Sequence, residues 1–129
     1  MNLYFFDSDK DIKIANIWIN GGSSLDNKAK KGINHILCSL LTRGCKGYDK
    51  FSLSEYIDSY GAELNYETYE DGILFCLKSY KPYFKEVFPI LLLITQEPNL
   101  DEKEFLYCKK NNLNILRKSK ENIFNITYE

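Results

Sequence analysis

Histidine is almost missing from this sequence: His35 is the only one in 129 residues. Any mechanism that needs two imidazoles from this chain is excluded, and many zinc enzymes go with it. Cysteine is present but unclustered. Cys38, Cys45, Cys76 and Cys108 form no Cys-x-x-Cys pair, so neither a disulfide framework nor a zinc ribbon is indicated. Reduced, buried thiols of a cytoplasmic protein are the expectation. A charge excess of one sign is lacking too, with 17 basic against 18 acidic side chains and a net charge of −1. No long-range field draws in nucleic acid or an anionic membrane surface. The longest apolar run, Phe88 to Thr95, is far shorter than the roughly 18 residues that a bilayer span needs. The first ten residues, MNLYFFDSDK, have neither a basic start nor a small-residue cleavage site, so no export signal is read there. Gly/Ser linkers, low-complexity tracts and internal repeats do not occur.

What is present is enough for a packed core. Hydrophobic residues make up 44% and aromatic residues 15%, too apolar for a disordered segment. One domain is expected at this length. Ile12 to Asn20 is a β-branched run that ends in Gly21-Gly22, which predicts a buried strand. From Lys28 the period changes. Ile33, Ile36, Leu37, Leu40 and Leu41 make a helical stripe that carries His35, with Gly44 as its stop. A shorter helix is predicted from Ser52 to Tyr60, followed by a hairpin of Ala62–Tyr69 and Ile73–Ser79 turned at Asp71-Gly72. The nearly all-apolar second arm reads as a central strand. Two helices follow, one from near Pro82 to Gln96 containing Pro89, the other capped by Asp101 with Glu104 three residues on. The order predicts an α+β layer with helices packed on one face of a mainly antiparallel sheet.

The stretch Gly32-Ile33-Asn34-His35-Ile36-Leu37-Cys38-Ser39, with Gly44 after it, resembles the signature helix of the M16 metallopeptidases, the insulinase and mitochondrial processing peptidase family. Ser54 to Ala62 resembles the family's second helix and its glycine. Asp71 and Pro98-Asn99-Leu100 resemble, in the same order, its hairpin and the loop before its long helix. The resemblance runs from about Ile14 onward. It implies the first half of an M16 domain, and residues 1–129 are expected to be a fragment or truncated unit completed by association.

In that family two histidines at i and i+4 bind zinc, the Glu between them activates water, and a later helix supplies a further Glu ligand. Here only His35 is kept. Cys38 stands at the Glu position, Ser39 at the second His and Ile115 at the distal Glu. The expectation is a vestigial site with no zinc or other cofactor and no proteolysis. The resemblance then implies a structural or substrate-holding partner of an active M16 subunit, or of a second domain half. Two alternatives stand beside it: a peptidase whose site a partner completes with His35 and Cys38, and a free-standing peptide-binding or homodimerising module. The family also implies that Leu64, Asn65, Tyr66, Glu67 and Thr68 hold extended peptide by strand addition. Bland readings accompany each residue. His35 then bonds at the helix surface, the cysteines fill the core, and Tyr48, Phe51, Tyr56, Tyr60, Tyr66 and Tyr69 serve packing rather than lining a peptide-binding wall.

Overall fold

The computed structural model describes residues 9–128, with side chains from 9 to 122. The N-terminal aromatic patch lies outside those residues. Strand β1 (Ile12–Asn20) is followed by helices α1 (Ile33–Leu41) and α2 (Lys50–Ser59), then by strands β2 (Glu63–Thr68) and β3 (Gly72–Tyr80). Helices α3 (Phe84–Gln96) and α4 (Glu102–Tyr128) complete the order. The sheet is antiparallel, in the order β1-β3-β2.

Alternation along each strand sorts the side chains. Ala15, Ile17 and Ile19 share the inward face with Ile73, Phe75 and Leu77 and with Leu64 and Tyr66, in rows such as Ile17–Phe75–Tyr66. The helices close over this face. Val87, Ile90, Leu91 and Ile94 of α3, Leu53 and Ile57 of α2, and Cys38 and Leu41 of α1 complete one core cluster. β3 is the central strand, as its composition predicts. β1 is not buried: it lies at the sheet edge, with Ile14 and Trp18 exposed on the outer face. β-branching marked it as a strand, but strand order decides how deeply it sits.

The predicted hairpin forms, although Gly72 serves packing rather than the turn. A Cβ there would come within 2.0 Å of the Trp18 ring, which lies across it from β1. The α1 stripe also needs correction. A short 3-10 turn occupies Lys28–Lys30 and the α-helix starts only at Ile33. Its core side is Cys38, Leu40 and Leu41, while Ile33 and Leu37 stay exposed. α3 likewise starts at Phe84, after a 3-10 turn over Lys81–Tyr83, and runs through Pro89. α4 is capped as expected: Asp101 Oδ1 accepts from the Lys103 N–H at 2.8 Å and from the Glu104 N–H at 3.3 Å. No helix among the described residues is long and apolar enough to cross a membrane.

Burial gives Cys38 a titration signature. The thiol is fully buried, and loss of hydration pushes its pKa up to about 11 from 9.0. A raised acid pKa means that folding favours the neutral thiol, so this contribution is fully present below pH 9.0 and is lost as pH rises through about 11. Unfolding midpoints are therefore expected to fall between those values, and less steeply in Cys38→Ala. An identical slope in the variant would remove Cys38 as the cause.

Candidate functional site

α1 places its two flanks in different surroundings. His35 faces β2, where its Nδ1 shares a hydrogen bond with Thr68 Oγ1 at 2.9 Å and its ring meets the edge of Tyr66 at 6.2 Å. The imidazole is exposed. Cys38, one turn later, points into the core, so the helix separates His35 from Cys38 rather than presenting them together. Ser39 looks the other way, towards α4, and donates its hydroxyl hydrogen to Cys108 Sγ at 3.4 Å.

The α1–α4 seam has a regular antiparallel register. Arg43 Nε pairs with Glu104, and one turn back Ser39 meets Cys108. Asn112 lies four residues beyond Cys108 on α4. The Asn112 Nδ2 is buried without a hydrogen-bond partner among the described residues. Ile115, the position expected from counting along the chain, is 54% exposed on α4.

Zinc needs several N, O or S donors converging at bonding distance. Among the described residues no three His, Cys, Asp or Glu side chains converge on a point. The fit also fails residue by residue. His35 is turned to β2, Cys38 is a protonated thiol in the core, and Ser39 is a neutral hydroxyl committed to Cys108. The residues present do not suit the ion.

The five strand positions lie together on β2, which has β3 on one side and no strand neighbour on the other among the described residues. Leu64, Tyr66 and Thr68 turn inward, while Asn65 and Glu67 are exposed. The Tyr69 hydroxyl donates to Glu67, and that bond raises the tyrosine pKa. The loop from Pro98 is tied to the end of α1. Asn99 N donates to the Gly44 carbonyl at 3.2 Å, and Asn99 Nδ2 donates to the Tyr48 carbonyl at 2.9 Å.

A three-stranded antiparallel sheet under helices, with α1 beside its edge strand β2, defines an α+β domain. The family model for insulinase, peptidase family M16, matches residues 7–123, and the chain belongs to that family. It is 28% identical over 98 residues to the mitochondrial-processing peptidase subunit beta of Homo sapiens, covering 76% of this chain and 20% of that subunit. The Bos taurus subunit is 28% identical over 88 residues, covering 68% and 18%. The chain thus spans about a fifth of these curated relatives. The fold matches the peptidase M16 inactive domain from Pseudomonas fluorescens, with a TM-score of 0.77 at 18% identity over 87% of this chain and 27% of that one. It also matches a protease from Helicobacter pylori, with a TM-score of 0.72 at 20% identity over 78% and 24%.

Proposed function

We propose that residues 1–129 form a non-catalytic M16 half-domain that gives structural support, or holds substrate, for an active zinc metallopeptidase half. That half belongs either to the same chain or to a separate subunit. The observation that carries this reading is the chemistry at the motif: a buried, protonated thiol where the family has its general base, and a hydroxyl bonded to Cys108 where it has its second histidine. The inactive M16 domain from Pseudomonas fluorescens has the same fold. The free side of β2 supplies backbone groups for an added peptide strand, with Asn65 and Glu67 beside it.

Zinc titration with metal analysis tests the first part. Purified protein is expected to retain no stoichiometric zinc, and His35→Ala is expected to change nothing. One zinc per chain, lost in His35→Ala, would overturn the reading in favour of a peptidase completed by a partner. Mixing with an active M16 subunit tests the second part. Co-elution with altered peptide turnover is expected, and no complex would leave a free-standing module.

A further inference from the structure

A trough of about 420 Å³ lies between α2 and the first half of β2, beside the end of α1. Its floor is apolar, from Leu53, Ile57 and Ala62, all buried. Its two ends differ in charge. Arg43 and Lys50 stand at one end, Asp58 and Glu63 at the other.

The basic end is organised around one ring. The Arg43 guanidinium lies 4.1 Å from the centroid of Tyr107, and the Lys50 ammonium lies 5.1 Å from the same centroid. Ring contacts hold cations in place without neutralising them. Glu104 pairs with Arg43 through Nε, and neither cation has another ion-pair partner among the described residues. Arg43 therefore has an acidic partner at the mouth of the trough, and Lys50 has none among the described residues. Arg43 and Lys50 both line this trough, whose wall includes Leu64 and Asn65 of β2.

We propose that the trough seats an extended peptide through an acidic side chain, which Lys50 and the Arg43 guanidinium bind while the peptide backbone follows β2. The proposal rests on the substrate-holding reading above and names the substrate class. Asp58 and Glu63 repel a carboxylate at the far end and fix the acid at the start of α2. From Lys50 to Asp58 the helix rises roughly 12 Å, which an extended chain covers in three to four residues. A basic residue that far along the peptide faces Asp58 and Glu63.

Fluorescence anisotropy with capped eight-residue peptides tests this, because blocked termini leave the side-chain carboxylate as the anion on offer. A peptide with a central Glu is expected to bind about tenfold tighter than its Gln counterpart, in line with a charge-assisted contact. The advantage is expected to shrink with added salt and to vanish in Lys50→Gln. Lys50 lies beyond the Asp49 cap, so this variant keeps the helix start; circular dichroism checks its fold. Equal binding of the two peptides, or an advantage that survives Lys50→Gln, overturns the acidic preference and leaves peptide holding intact. Binding of neither peptide overturns the substrate-holding reading itself.

Discussion

Phe75→Ala is expected to destabilise the domain by about 3–5 kcal/mol, the range for deleting a buried aromatic side chain. Phe75 is fully buried in the middle of the central strand, flanked in register by Ile17 of β1 and Tyr66 of β2. Its ring lies 6.4 Å from that of Tyr66. Both edge strands lean on this one side chain, and the cavity left behind borders all three. A domain of this size holds only about 5–15 kcal/mol in total, so the loss is a large share of it. Phe51→Ala is the control. Phe51 is 76% exposed, and its truncation is expected to stay within about 0.5 kcal/mol. Urea unfolding followed by tryptophan fluorescence measures both. A Phe75→Ala loss below about 1 kcal/mol would mean that the sheet does not seat the core as described.

Gly22→Ala is expected to cost about 2–4 kcal/mol for a different reason, a collision that nothing can relieve locally. A Cβ at residue 22 would sit 1.9 Å from the Tyr69 carbonyl oxygen, 2.8 Å from Gly72 N and 2.9 Å from Gly72 O. These are backbone atoms of the hairpin turn, so no side chain can swing aside. The same junction is held by Gly21 N donating to the Asp71 carbonyl at 2.9 Å and Ser23 N donating to the Tyr69 carbonyl at 3.1 Å. Relief of the clash requires parting the loop from the hairpin and losing those bonds. Amide exchange should therefore quicken first at residues 21, 23 and 69. Wild-type stability with unchanged exchange would show that the two segments do not touch as described.

Part of the architecture is legible in the residues themselves. Alternation and β-branching gave β1 its bounds, and the apolar second arm of the hairpin marked β3 as central. Asp101 announced α4. Its partner in the expected capping box behaves otherwise. The Glu104 carboxylate goes to Arg43, an ion pair between residues 61 apart in sequence that no local pattern reveals. The start of α1 was read too early because an apolar stripe carries no information about the 3-10 turn that precedes it.

The same division runs through the site. Sequence alone determined that one imidazole is available, because that is a fact of side-chain chemistry, while the thiol of Cys38 and the hydroxyl of Ser39 stand at the motif positions only as the family resemblance implies. Tertiary structure alone decided that Cys38 lies in the core while His35 faces Thr68, that Ser39 meets Cys108, and that Arg43 and Lys50 share one ring. Burial, helix register and the meeting of distant charges depend on how elements pack against one another. A one-dimensional pattern fixes what each residue can do, and packing fixes what it does it to.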